Sequence, residues 1–181
     1  MFVTSGLGGM SGAQAKAAVI TGAVGIIADT SRHAVEKRYN QGWLTEMSDD
    51  VAFVVDRAKR AVADREAVSI GFVGNIVDLL ESLENANVVP DLCSDQTSLH
   101  NPWLGGYTPR GLSYDEAEEM ISSDPDQFRS LVRGTLVEHG AVIKRLSQRG
   151  MRFWDYGNAF LLEASRACLL YTSDAADDVI S

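Results

Sequence analysis

Gly6-Leu7-Gly8-Gly9-Met10-Ser11-Gly12-Ala13-Gln14 follows the extended, β-favouring run Phe2-Val3-Thr4 and opens a small-residue helix expected over 13–23. A strand that breaks into glycines and then a helix lets the backbone come close to a diphosphate, with unpaired helix N–H groups facing the anion. The stretch predicts a dinucleotide site with Gly8, Gly9, Met10, Ser11 and Gly12 in its turn. In the usual Gly-x-Gly-x-x-Gly spacing the third glycine would fall at Ser11, and here it comes one place later. Ser11 can donate a hydroxyl, and Gly12 still permits tight packing. Downstream, the apolar run Val24-Gly25-Ile26-Ile27-Ala28 ends in Asp29, about where a second strand presents a carboxylate to the adenosine ribose. The competing reading is a glycine turn that merely starts a helix, with Asp29 capping the next one.

Further along, 31–39 reads as a helix capped by Thr30 or Ser31, with Glu36, Lys37 and Arg38 on a solvated face. A longer amphipathic helix is expected from Ser48 to about Arg65, with Val51, Val54, Val55, Ala58 and Val62 as its stripe. Val68-Ser69-Ile70-Gly71-Phe72-Val73 reads as a strand ending at Gly74-Asn75, where an open α/β sheet would place a second ligand contact. Asn75 can equally cap the helix 76–83, and both roles can hold at once. A short strand over 88–93 leads into Asp95-Gln96-Thr97-Ser98-Leu99-His100-Asn101-Pro102. Such crowding of polar groups at a strand's carboxyl end either holds a ligand or builds Asx and Ser/Thr turns. Cys93, just before it, reads as a small buried hydrophobe.

The segment 101–111, rich in Pro, Gly and aromatics, suits a packed loop over a pocket. Helices follow over 113–122, with a Ser113-to-Glu116 capping box, and over 125–149, where His139 reads as structural. A last strand over 151–154, the segment Asp155-Tyr156-Gly157-Asn158 and a helix over 159–167 complete the pattern. Alternating strands and helices predict an α/β fold, a Rossmann-like parallel sheet with helices on both faces.

The chain has 181 residues, 45% hydrophobic, enough for one domain with a core and with no long apolar run to span a membrane. Sixteen basic against 25 acidic residues give a net charge of −9, which disfavours nucleic acid as a partner. The opening Met1-Phe2-Val3 lacks the features of a secretory signal, and the two cysteines make neither a disulfide framework nor a metal cluster. A cytoplasmic protein without a metal is expected. The first strand starts almost at residue one, so the N-terminus is expected to be cut. Residues 168–181, from Cys168-Leu169-Leu170-Tyr171-Thr172-Ser173-Asp174 onward, resemble a translated sequencing adapter that interrupts the helix pattern. The native domain is expected to be 1–167, continuing beyond it in the natural protein.

The motifs Gly6 to Gln14, Asp95 to Pro102 (DQTSLHNP) and Phe153 to Ala164 (FWDYGNAFLLEA) resemble those of the urocanase family in order and spacing, across Phe2 to Ala167. Ala15 to Ile20 (AKAAVI), Glu36 to Arg38 (EKR) and Gln41 to Trp43 (QGW) resemble its longer-subunit type. The resemblance implies a tightly held NAD+ that acts as an electrophile toward the imidazole of urocanate. Water adds, and imidazolonepropionate is released in histidine breakdown. It also implies cofactor contacts from Gly9, Met10 and Ser11 at the pyrophosphate, Asp29 at the ribose, and Asn75 with Ile76. Gln96, Thr97, Ser98, Leu99, His100, Tyr107, Thr108 and Tyr156 would continue around the cofactor. Asp29 stands where the family usually has glutamate, and Ala34 where some members carry a cofactor-binding arginine. Further family contacts lie outside 2–167, so no catalytic acid or base is assigned and Cys168 is not one. The family forms homodimers. The rival functions are an NAD-dependent dehydrogenase, or a bare NAD-binding module with no activity as an isolated piece.

Overall fold

The computed structural model describes residues 1–177. Strands β1 (Phe2–Ser5), β2 (Val24–Asp29), β3 (Glu46–Ser48), β4 (Val68–Val73), β5 (Leu92–Asp95) and β6 (Arg152–Asp155) form one six-stranded sheet in the order β3-β4-β2-β1-β5-β6. Every pairing is parallel. β1 lies between β2 and β5, with Thr4 opposite Ile27 and Val3 opposite Cys93, so the chain reverses its direction of sheet growth there. A crevice outside the carboxyl ends of the strands is the expected consequence of that reversal.

Helices α1 (Ala13–Ile20), α2 (Arg32–Asn40), α3 (Val51–Asp64), α4 (Ile76–Asn85), α5 (Tyr114–Ser123), α6 (Pro125–Gln148) and α7 (Phe160–Asp177) connect and cover the strands. Because successive strand residues face opposite sides, Ile26 and Ile27 enter different cores. Ile26 packs in the large cluster with Val54, Ala58, Val77 and Leu80, while Ile27 joins Leu7, Ala15, Val35 and Leu44 on the other side. The sheet is thus covered on both faces, as predicted, and this is an α/β, Rossmann-like architecture. Both isoleucines are fully buried. Truncating either to alanine would cost about 2–5 kcal/mol. The small residues of α1 have a steric reason: a Cβ on Gly25 would stand 2.7 Å from the Ala18 methyl, so this helix lies close against β2.

Several boundaries differ from expectation. Ser48 does not open a helix; it ends β3, which pairs with β4 through Ser48 and Phe72. Asp50 is the cap, accepting from the N–H of Ala52 at 2.9 Å and of Phe53 at 3.2 Å. Val62 is exposed rather than part of the buried stripe. The strand expected over 88–93 begins only at Leu92 and runs to Asp95, because pairing with β1 and β6, rather than apolar content, fixes its register. α1 ends at Ile20, three residues early, where the Thr21 hydroxyl bonds back to the carbonyls of Ala17 and Ala18. α7 continues through Ala167 to Asp177, so the interruption expected there does not occur. Residues 178–181 of the adapter-like segment lie outside the described residues. The Ser113–Glu116 capping box is formed. Among the described residues, no helix is long and apolar enough to cross a membrane.

Candidate functional site

A cavity of about 670 Å³ opens outside the carboxyl ends of β1, β2, β4, β5 and β6. That lies within the range of about 300–1,000 Å³ common to ligand and cofactor sites. Each wall is a strand-to-helix turn. From the first come Gly8, Gly9, Met10 and Ser11; from the second, Asp29 and Ala34; from the third, Asn75 and Ile76. Gln96, Thr97, Ser98 and His100 follow β5, Tyr107 and Thr108 come from the segment before α5, and Tyr156 follows β6. Two residues expected here stand outside the lining. Leu99 is fully buried in the large core, turned under by its loop, and Gly12 lies behind the turn against Arg38.

The glycine turn is built to present donors. Gly6 N–H is bonded to the Ala28 carbonyl, and Gly12, Ala13 and Gln14 donate to carbonyls within the turn. The amides of Gly8, Gly9, Met10 and Ser11 have no protein acceptor among the described residues. Four uncommitted N–H groups at a helix start on a cavity wall have the chemistry to receive an anion. Met10, 91% exposed, stands at the outer lip.

Asp29 closes β2 on the same rim. Its Oδ2 accepts the Leu7 N–H at 2.7 Å and its Oδ1 the Ser31 N–H at 2.9 Å. Burial raises its pKa above the usual carboxylate value, and those two backbone donors oppose the rise. Each oxygen keeps lone-pair capacity for a further donor. Asp29 does not cap α2; Ser31 does, accepting from Ala34 N–H.

Asn75 caps its helix, as foreseen, and its side chain lines the cavity and braces a wall of it. Its Oδ1 accepts the Val77 N–H at 2.9 Å, capping α4, while its Nδ2 donates to the Thr108 carbonyl at 3.1 Å. The Thr30 hydroxyl donates to that of Thr108 at 2.8 Å, and Arg110 pairs with Asp78, Glu81 and Glu138. The Gly105–Thr108 wall is therefore pinned from three elements.

Beneath the floor, the fully buried Asp95 accepts from the hydroxyl of Ser5, from the N–H and hydroxyl of Thr97, and from Asn158 Nδ2 at 2.6 Å. It ties the ends of β1, β5 and β6 together, although burial still raises its pKa. The polar loop after β5 builds the Asx turn open to it, with Asp95 accepting from Thr97, while its neighbours line the cavity. Tyr107, at the cavity, bonds through its hydroxyl to Nδ1 of the fully buried His139 at 3.0 Å. Desolvation lowers the His139 pKa to about 3, so its ring is neutral at pH 7. Cys93 is buried, and desolvation pushes its thiol well above the ordinary value, which leaves it without nucleophilic character at neutral pH.

Sequence reasoning missed Thr30, Tyr114, Gly105, Gly106 and Asn158, all of which line the cavity or brace it. It also misplaced Arg38, which is not on a solvated face but buried behind the glycine turn. Spacing could have found it, since Arg38 lies three residues after the buried Val35 on α2.

The chain matches the family model described as Urocanase Rossmann-like domain over residues 1–174. It is 51% identical over 180 residues to a protein named probable urocanate hydratase from Caenorhabditis elegans, covering 98% of this chain and 27% of that relative. It is 51% identical over 172 residues to urocanate hydratase of Mus musculus, covering 92% of this chain and 25% of the relative. To the probable urocanate hydratase of Halobacterium salinarum it is 35% identical over 155 residues, 86% of this chain and 26% of the relative. The chain spans about a quarter of the length of the curated relatives it matches.

Proposed function

This chain belongs to the urocanase family, and from that premise we propose that it is the dinucleotide-holding part of a urocanate hydratase. The parent would add water to urocanate, giving imidazolonepropionate, with NAD+ held in the cavity described above. The observation that carries this reading is the bond from Leu7 N–H to the Asp29 carboxylate, which sets the anion-receiving turn and the carboxylate side by side on one rim.

The residues fit the cofactor. The uncommitted amides of Gly8, Gly9, Met10 and Ser11 suit the diphosphate, and the remaining lone pairs of Asp29 suit the adenosine ribose hydroxyls. Asn75, Ile76, Gln96, Thr97, Ser98, His100, Tyr107, Thr108 and Tyr156 would wall the rest, with Gly12 and Leu99 acting from behind it. When bound, NAD+ supplies an electrophilic ring. No general acid or base is assigned to this chain, and by itself it is proposed to bind without turnover, because sites built from several segments lose preorganisation when some are missing.

We further propose that residues 168–181 are foreign to a native domain 1–167, although the family match and α7 both run past that junction. Genomic DNA across the junction would decide it. The parent is proposed to be a cytoplasmic homodimer, as the family resemblance implies. The function is tested by assaying the full-length parent with urocanate. Loss of urocanate absorbance without NADH is expected; NADH accumulating with turnover would overturn the lyase reading in favour of a dehydrogenase. Calorimetric titration of the 181-residue chain with NAD+ tests the binding half, and turnover of urocanate by this chain alone would contradict its proposed inactivity.

A further inference from the structure

We propose that Arg38 is the positioning residue of the anion site: a buried guanidinium that aims two amides of the glycine turn and supplies the counter-charge for a diphosphate. This rests on the reading of the cavity as a dinucleotide site. Arg38 reaches from α2 to the outer side of the turn, where Nε–H donates to the Leu7 carbonyl at 3.0 Å and Nη2–H to the Gly8 carbonyl. No peptide bond among the described residues is cis, and in a trans peptide the C=O and the following N–H point in opposite directions. Holding the carbonyls of Leu7 and Gly8 toward Arg38 therefore turns the N–H groups of Gly8 and Gly9 away from it. Those are two of the uncommitted donors of the turn. Gly8 and Gly9 line the cavity, and Arg38 does not.

The charge is the second, independent observation. Arg38 is only 6% exposed, yet no carboxylate pairs with it among the described residues. Its remaining contacts are the side-chain oxygen of Gln41 at 2.8 Å and the face of Trp43, with the guanidinium carbon 4.7 Å from the ring centre. A buried cation surrounded by neutral groups is costly unless an anion compensates it. The place for that anion is the far side of the thin turn to which the guanidinium is bonded. The displaced glycine of the fingerprint has its explanation here as well. A Cβ on Gly12 would lie 2.3 Å from Arg38 Nε and 2.9 Å from its guanidinium carbon, so Gly12 is the gap through which the side chain passes.

The test measures binding of NAD+, inorganic pyrophosphate and adenosine to the 181-residue chain and to Arg38→Met, Arg38→Lys and Gly12→Ala, at two ionic strengths, with melting curves beside them. Arg38→Met should bind NAD+ and pyrophosphate about tenfold or more weakly, the loss expected for charge-assisted interactions, while adenosine affinity stays unchanged. Arg38→Lys, keeping charge without the fork, should recover part of the pyrophosphate binding and its salt dependence. Gly12→Ala should reproduce the Arg38→Met pattern with the arginine still present. If the unsubstituted 181-residue chain binds NAD+ and the folded Arg38 variants bind it equally well, this inference fails and the dinucleotide reading survives. Equal weakening toward adenosine and pyrophosphate would also overturn it, reducing Arg38 to a packing role. An unsubstituted chain that binds neither NAD+ nor pyrophosphate overturns both. Should Arg38→Met not fold, Arg38→Lys and Gly12→Ala decide by the same comparison.

Discussion

Leu7 N–H donates to Asp29 Oδ2 at 2.7 Å, across 22 residues of sequence, and that one bond joins the turn after β1 to the end of β2. This carboxylate braces the turn, and in the proposed dinucleotide site its spare lone pairs would also receive the ribose hydroxyls. Asp29→Ala removes both and is expected to weaken NAD+ binding by about 1–3 kcal/mol. Titration calorimetry with NAD+ checks it, and nicotinamide mononucleotide, which lacks the adenosine half, should lose less. Unchanged NAD+ affinity would count against the assignment.

Asn75 can be dissected by two substitutions. Asn75→Asp keeps the oxygen that caps α4 but loses the donor to Thr108, whereas Asn75→Ala loses both. The alanine variant should be destabilised by about 0.5–2 kcal/mol, the usual range for a lost cap. The aspartate variant keeps the cap but sets a carboxylate oxygen against the Thr108 carbonyl, so it should lose stability as well and bind NAD+ more weakly, since the Gly105–Thr108 wall is released. An aspartate variant with unchanged urea midpoint and unchanged NAD+ affinity would show that the bond to Thr108 contributes nothing.

His139 gives the fold an acid limit. Its folded pKa, about 3, lies below the ordinary 6.5, so the unfolded chain binds the proton more readily. The stability it contributes is complete above pH 6.5 and is lost as pH falls toward 3, at about 1.4 kcal/mol per pH unit. Asp29 and Asp95 act oppositely: their folded values are raised, so what they contribute is present at low pH and lost as pH rises through those values. The comparison that isolates His139 is therefore the parent against a Tyr107→Phe/His139→Leu double variant, which removes both hydrogen-bonding partners. Urea unfolding between pH 7 and 4.5 should show a shallower acid slope in the double variant, and identical slopes would refute the prediction.

Asp95→Asn is nearly isosteric, keeps an oxygen for the Thr97 and Asn158 donors, and turns its NH2 group to the Ser5 hydroxyl, which can accept as well as donate. The substitution is expected to cost about 1–2 kcal/mol, through replacement of charge-assisted hydrogen bonds by neutral ones. Chemical denaturation measures it, and an unaltered midpoint would mean that the charge, not the pattern of bonds, was the costly element.

The sheet and most of the cavity wall were readable from local chemistry. The glycine turn, the carboxylate ending β2 and the Asn75 cap are each specified by residues within a few positions of one another. What was unreadable depends on distant partners. β3 is three residues long and exists because Ser48, Met47 and Glu46 pair with β4, and nothing in its own alternation announces it. Leu99 sits among polar neighbours, yet the turn made by Asp95 and Thr97 directs it into the core. Arg38, within a charged triplet, looks like solvated surface until the turn to which it bonds, about thirty residues earlier, is folded against it.

The cavity takes its walls from turns after five different strands, from Ser5 to Asn158. An occupant would touch both halves of the sheet, and because only the folded chain brings those turns together, binding and folding become linked equilibria. Its concentration then acts as a dial on the whole molecule: the melting point should climb with the logarithm of added ligand. Amide exchange should slow well away from the ligand, including on strands it never touches.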